Sequence, residues 1–293
     1  MADVTFIILT KNEAQNLPDC LDSIRGFAAR TLVVDSGSDD ATCAIAREMG
    51  AEVLVHPFEN YARQFNWALD NGNIATRWTF RLDADERLTP ALIAELERLM
   101  AEHADDDVNG VTMEAWLYFL GRRIRYGCRN KRKLMLFKTG VGRLEDRRMD
   151  EHTVLSAGHA VSCRERFIHR DFKDMTHWIA KMNWYATREM QDYIEFADGK
   201  AAGLGEGGDA AINGTRRMKF GVYYRLPMFL RSWLLFVYYY VFRLGFLDGR
   251  EGFVYHYMYS AGKSLIRWVR PRSLQAQEPD TTAHRDCIRM TLR

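Results

Sequence analysis

Phe80-Arg81-Leu82-Asp83-Ala84-Asp85-Glu86 sets a run ending in apolar residues directly before two carboxylates spaced i, i+2. Read as the end of a strand, it delivers Asp83 and Asp85 to the carboxyl edge of a sheet, where open parallel sheets bind their ligands. Two hard oxygen donors at that edge suit Mg²⁺ or Mn²⁺, which is usually held by one or two carboxylates together with substrate phosphates. The stretch therefore predicts a metal and nucleotide-diphosphate site. An isolated Asp-x-Asp is more often a solvated acidic loop, so its weight comes from the segments around it.

Outward from that stretch, strands and helices alternate. Val4 to Leu9 is a continuous apolar run, as in a strand buried on both faces, and it ends in polar Thr10-Lys11-Asn12-Glu13. Leu17, Leu21 and Ile24 recur at helical spacing, with Pro18 tolerable in the first turn. Thr31 to Val34 is a second strand, closed by Asp35-Ser36-Gly37-Ser38-Asp39-Asp40, and Ala41 to Met49 is a helix capped by one of these aspartates and stopped by Gly50. Val53 to Val55, Tyr61 to Asp70, Trp78 to Leu82 and Pro90 to Met100 continue as strand, helix, strand and amphipathic helix. The pattern predicts an α/β, doubly wound, mostly parallel nucleotide-binding sheet whose loops open on one edge.

Beyond the acidic Asp105-Asp106-Asp107, read as a solvated loop, the alternation changes. Val111 to Leu120 and Lys133 to Phe137 read as further strands, and His177 to Phe196 as a long helix with Trp178, Met182 and Tyr185 at packing intervals. The expected organisation is one domain over 1–200 with two halves, 1–105 and 106–200. A flexible loop follows at 201–215, then an aromatic and basic helical region at 216–270 and a disordered tail at 271–293.

Composition is that of an ordinary globular protein, 47% hydrophobic and 27% charged with a formal charge of +2, so nothing global argues for nucleic acid. The distribution is uneven. Eight basic residues and no acid lie between Leu117 and Val141, and the second half mixes basic with aromatic residues, a combination suited to phosphate-rich lipid surfaces. The five cysteines are odd in number and lack metal-ligand spacing, which fits a reducing cytosol, and the opening residues carry no signal-peptide pattern. Trp233 to Phe242 is apolar and aromatic for ten residues, short of the roughly 20 needed to span a bilayer. With Arg225, Arg231 and Arg243 flanking it, the segment is either a helix lying in the membrane interface or a buried core helix.

Four motifs in order, Ile8-Leu9-Thr10-Lys11-Asn12-Glu13, Val33 to Thr42, Arg63-Gln64-Phe65-Asn66-Trp67-Ala68 and Leu82 to Glu86, resemble the family 2 inverting glycosyltransferases. Within that family the chain is most similar to the bacterial branch acting on lipopolysaccharide core or lipid-linked exopolysaccharide units. Met149-Asp150-Glu151-His152 and Leu244-Gly245-Phe246-Leu247-Asp248-Gly249 are less specific signs of the same branch. The resemblance implies a GT-A catalytic domain over 1–200 with a nucleotide-sugar-binding half at 1–105 and an acceptor half at 106–200, a nucleotide-sugar donor carried on UDP, and a divalent metal bridging the diphosphate, with Asp83 at the ribose or metal-bound water and Asp85 on the metal. Asp35 is placed to accept from base or ribose, with Thr10, Asn12 and Glu13 lining the same pocket. Arg63 can neutralise diphosphate, and Gln64 and Asn66 offer amide hydrogen bonds, although each also suits a solvated helix face.

Inversion requires a general base for the acceptor hydroxyl, and no covalent intermediate. The family places that base on a later motif, which Asp150 and Glu151 match; Glu151 is preferred, Asp150 is second, and Glu145-Asp146 is an alternative. His152 and His169 could orient the base or a phosphate, and Arg132 or Lys133 could stabilise the departing diphosphate. The resulting expectation is sugar transfer to a lipid-linked or lipopolysaccharide-core acceptor by an enzyme peripheral to the cytoplasmic face of a bacterial inner membrane, or cytoplasmic. A sugar nucleotidyltransferase is a rival, weakened by the absence of glycine between Thr10 and Asn16. A non-catalytic membrane-associated UDP-binding scaffold is another. Oligomeric state, donor sugar and linkage are not legible.

Overall fold

The structure is a computed structural model and describes residues 1–127, 132–146, 152–197 and 226–265. Asp150 and Glu151, the loop 201–215 and the tail 271–293 lie outside the described residues. The parallel half of the sheet has the order β3-β2-β1-β4, built from β1 (Ala2–Thr10), β2 (Ala28–Asp35), β3 (Glu52–Val55) and β4 (Trp78–Asp83). Helices α1 (Leu17–Ile24), α2 (Thr42–Glu48), α3 (Tyr61–Asn71) and α4 (Pro90–Glu102) return the chain between or after these strands. Side chains alternate across a strand, so β1 feeds two cores. Phe6 and Ile8 pack with Leu17 and Leu21 of α1 and Leu92 and Leu96 of α4, while Ile7 meets Phe65 and Ala68 of α3 on the other face. Local chemistry sets the helix starts: the Asn60 side chain accepts from the Arg63 N–H, and the Thr89 hydroxyl accepts from the Leu92 N–H just before Pro90.

The second half turns the sheet from parallel to mixed. After β5 (Glu86–Arg87) come β6 (Val108–Phe119), β7 (Arg122–Arg123), β8 (Arg132–Lys138), β9 (Gly142–Leu144), β10 (Thr153–Leu155) and β11 (His159–His169). The sheet continues β4-β8-β6-β11-β5, with β8 antiparallel to both β4 and β6, β11 parallel to β6, and β5 antiparallel to β11. Only Ala84 and Asp85 separate β4 from β5 along the chain, so the sheet curls until its last strand returns to the end of β4. This curl positions the site. Leu9 pairs with Asp83, Thr10 with Asp35, and His169 with Glu86, while the Trp78–Lys138 register carried forward sets Lys133 level with Asp83.

The remaining described elements are α5 (Met175–Ala197), α6 (Met228–Val237), a π-helical turn at Tyr238–Phe242, a 3-10 turn at Gly245–Asp248 and α7 (Gly249–Leu265). The Leu244 to Gly249 segment is a joint. Asp248, 3% exposed, accepts backbone N–H bonds from Arg125 (3.0 Å) and Tyr126 (2.8 Å), and the Gly127 N–H donates to the Arg243 carbonyl at 2.9 Å. A Cβ on Gly245 would lie 2.6 Å from the buried His256 ring, so glycine is required there for close approach. The Trp233 to Phe242 stretch is not a buried core helix: Trp233 is 60% and Phe242 73% exposed. Arg231 by contrast is buried, because the helix turns it inward, and it is not a lipid-facing flank. Among the described residues no helix is long and apolar enough to cross a membrane.

Candidate active site

Asp83 ends β4, and its carboxylate accepts from the Tyr61 hydroxyl and from Lys133 Nζ at 3.1 Å. Lys133 also reaches Glu86 Oε1 at 2.5 Å, and His169 Nδ1 lies 3.8 Å from that same oxygen and 3.5 Å from Asp85 Oδ1. Lys181 of α5 completes the cluster, its Nζ 3.3 Å from Asp85 Oδ2 and 3.7 Å from Asp171 Oδ2. Burial alone would raise both aspartates, but Lys133 and Arg81 hold Asp83 well below the usual carboxylate range, and His169 and Lys181 bring Asp85 down to about 2. Asp85 in turn raises Lys181, and at Lys133 the attraction of Glu86 and Asp83 overcomes burial. At neutral pH Asp83 with Lys133 and Asp85 with Lys181 are charged pairs.

That donor set fits a hard divalent cation. Among the described residues no three His, Cys, Asp or Glu side chains gather into an all-protein cage, and two carboxylates completed by phosphate oxygens need none. Lys133 and Lys181 mark where Asp83 and Asp85 already receive positive charge.

The other expected site residues divide. Glu13 lines the same cleft, its carboxylate bonded by Lys173 Nζ (2.6 Å) and Asn16 Nδ2 (2.9 Å), and burial raises its pKa. Asp35 is 1% exposed and fully engaged, accepting from Thr10 Oγ1 (2.8 Å), Ser38 Oγ (2.6 Å) and the N–H groups of Gly37 (2.9 Å) and Ser38 (2.7 Å). Burial pushes its pKa up, yet those bonds outweigh it and the net shift is downward. Asn12 adopts φ 56° and ties the two loops, its N–H bonded to Ser38 and its side chain to the Asp39 N–H. Gln64 is buried against His56 and Ser36, and Asn66 exchanges two hydrogen bonds with the Leu144 backbone, fastening β9 to α3. Arg63 is paired on the surface with Glu59 and Asp146. Lys133 stands in the cluster, while Arg132 points away to Glu114 and Ser162.

The cleft has a volume of about 620 Å³ and runs from Glu13, Asp83 and Asp85 past His169 to an aromatic wall on α5 and α7. Its Asp171, Lys173 and Lys181 escape a reading of motifs. They follow or face β11, a strand whose apolar residues Val161, Cys163 and Phe167 are interrupted by Arg164-Glu165-Arg166 and which, like β1, β2 and β4, ends in a polar cluster. That ending is the signal that would have found them. A smaller cleft of about 300 Å³ lies by α1 and the start of β2; its Arg30 is paired with Glu52.

Comparison with known proteins identifies the family. The Glycosyl transferase family 2 model matches residues 5–167, more than half of the chain. An uncharacterized glycosyltransferase of Rickettsia felis is 36% identical over 106 residues, 36% of this chain and 37% of that protein, so the match spans little more than a third of that relative's length. The lipopolysaccharide core biosynthesis glycosyltransferase LpsC of Rhizobium meliloti is 30% identical over 199 residues, covering 64% of this chain and 70% of LpsC. Among solved structures, glucosyl-3-phosphoglycerate synthase of Mycobacterium tuberculosis, in complex with Mn²⁺, UDP and glucosyl-3-phosphoglycerate, aligns with a TM-score of 0.31 and 18% identity over 39% of this chain and 44% of that one. With the curled α/β sheet of the GT-A type beneath its paired aspartates, the chain belongs to glycosyl transferase family 2.

Proposed function

We propose that this chain is an inverting, metal-dependent glycosyltransferase that moves a sugar from a nucleotide donor, carried on UDP, to a lipid-linked or lipopolysaccharide-core acceptor. The observation that carries the reading is the closure of the sheet, which brings Asp83 and Asp85 to one end of a cleft already lined by Lys133, Lys181 and Lys173. Asp83 and Asp85 would hold Mg²⁺ or Mn²⁺, and that ion would supply positive charge to the departing diphosphate. Lys133 and Lys181 lie on the same side and add to that charge. Thr10, Asn12 and Asp35 act through the β1 and β2 loops they bind together, which form the floor for base and ribose. Arg63, Gln64 and Asn66 support the pocket from outside it.

In the transfer step the acceptor oxygen forms a bond to the anomeric carbon as the bond to the diphosphate oxygen breaks; the acceptor proton passes to a carboxylate, and the nucleoside diphosphate departs. Glu151, with Asp150 second, is assigned that carboxylate on the family resemblance. Asp171 is a further acid that lines the cleft. It accepts from Asn16 Nδ2 at 2.9 Å and the Lys173 N–H at 3.0 Å, and these bonds outweigh burial and lower its pKa, which weakens it as a base. Glu151→Gln is expected to abolish transfer while UDP affinity is kept, and Asp150→Asn to leave measurable turnover; retention of full turnover by Glu151→Gln would reject the assignment. Proton NMR of the new glycosidic linkage reads the stereochemistry, inversion being the expected outcome.

Membrane association is proposed on the exposed rings and aliphatic side chains of the C-terminal helices. Trp233, Phe242, Phe246 and Leu247 are each close to or above half exposed, a density of apolar surface suited to the headgroup layer. The acceptor would then be met at the cytoplasmic face of the inner membrane.

A further inference from the structure

The cleft extends past the charged cluster, and its far half has a composition of its own. Every cation at the carboxylate end is paired: Lys133 with Asp83 and Glu86, Lys173 with Glu13, Lys181 with Asp85 and Asp171, His169 with Asp85 and Glu86. Arg170, which also lines the cleft, has no carboxylate partner among the described residues. Its backbone is clamped, the N–H donating to the Asp85 carbonyl at 2.8 Å and the carbonyl accepting from Arg87 Nη1 at 2.7 Å. Its guanidinium lies over the Phe172 ring at 4.6 Å and 5.8 Å from the Tyr118 centroid, so ring contacts fix the plane while the polar edge stays uncommitted. Beyond it stands the aromatic wall. Phe119 meets Trp178 edge-on at 5.3 Å and Tyr255 at 5.4 Å, and Tyr255 stacks on Tyr259 at 5.8 Å. Two of those rings come from α7, which the Asp248 joint holds against the β6–β7 hairpin.

We propose that this far half is the acceptor subsite and that it selects an anionic glycoside, with Arg170 pairing to a carboxylate or phosphate on the acceptor and Trp178, Tyr255 and Tyr259 taking the apolar face of its sugar ring. The proposal rests on the donor reading, which assigns the opposite end to the nucleotide. A planar guanidinium matches either anion through two parallel hydrogen bonds, and ring faces match the C–H face of a pyranose. It follows that α7 is part of the substrate site rather than only a means of attachment.

The test is an NMR titration of the full chain with three probes, methyl glucoside, glucuronate and glucose 6-phosphate, each with UDP and Mn²⁺ present and with UDP titrated separately. One or both anionic sugars are expected to bind at least about tenfold more tightly than the neutral glycoside, the factor one charge-assisted pair supplies, and the carboxylate and phosphate arms identify the anion. Arg170→Gln should remove that advantage with UDP affinity unchanged, and Tyr259→Leu should weaken all three sugars. Arg170→Lys is a second variant that keeps the charge and loses the fork, with an intermediate affinity expected. Equal binding of neutral and anionic sugars, or an anionic preference that survives Arg170→Gln, overturns the proposal. Sugar binding as expected without UDP binding would support the subsite and contradict the donor reading alone.

Discussion

Asp35 and Asp83 end the two strands that flank β1, and the structure uses them differently. Asp83 meets a hydroxyl and an ammonium at a cleft, whereas Asp35 is closed in by the donors of its own loop. Asp35→Ala is therefore expected to destabilise the fold by about 2–3 kcal/mol, because buried donors lose a charged acceptor. The sign of its pH dependence follows from the lowered folded pKa. The stabilisation is present above the unfolded value of about 3.9 and fades as pH falls through the folded one. Urea unfolding of both proteins at pH 7 and near pH 3 checks this, with the gap narrowing in acid; a gap independent of pH would contradict it. Residue identity alone could not separate these two aspartates. Nor could it separate Lys133 from Arg132, adjacent in the chain yet on opposite sides of β8.

At the level of elements, one buried carboxylate, that of Asp248, is a principal tie between the C-terminal helices and the sheet. Asp248→Ala should cost about 1–3 kcal/mol, since it leaves the Arg125 and Tyr126 N–H groups without their acceptor. Limited proteolysis should cut more readily around residues 243–249 in the variant, while an unchanged cleavage rate would show that the joint is held by other contacts. Of the strands that were legible, β1, β2 and β4 are apolar runs largely buried on both faces and closed by polar loops, while β3 is a short, partly exposed edge strand; their observed limits lie within a few residues of those expected. β11 was not legible: its exposed residues interrupt the apolar run, and its N-terminal half packs only partly. β5 has two residues and exists because the sheet curls back to meet it, a consequence of pairing between distant segments. The same curl explains the site. The Asp83 and Asp85 motif could be read from local sequence, but its partners Lys133, His169 and Lys181 arrive 50 to 96 positions later and become neighbours only through register and the docking of α5.

For the molecule as a whole, a charged cleft at the carboxyl edge of the sheet and an exposed aromatic surface on the C-terminal helices together support the proposal of an enzyme that works beside a lipid phase. Replacing Trp233 and Phe242 together by serine should reduce cosedimentation with vesicles containing anionic lipid without lowering thermal stability, because both side chains are more than half exposed. Unchanged vesicle binding would assign the attachment elsewhere. The central claim is that Asp83 and Asp85 receive a nucleoside diphosphate with a divalent cation, and calorimetric titration of UDP, GDP and CMP with and without Mn²⁺ tests it most directly, with Asp85→Asn as the control. The account predicts metal-dependent binding of UDP in preference to the others, weakened at least about tenfold in the control by loss of one charged contact. UDP binding that is equally strong in Asp85→Asn, or no binding of any of the three nucleotides, would contradict it.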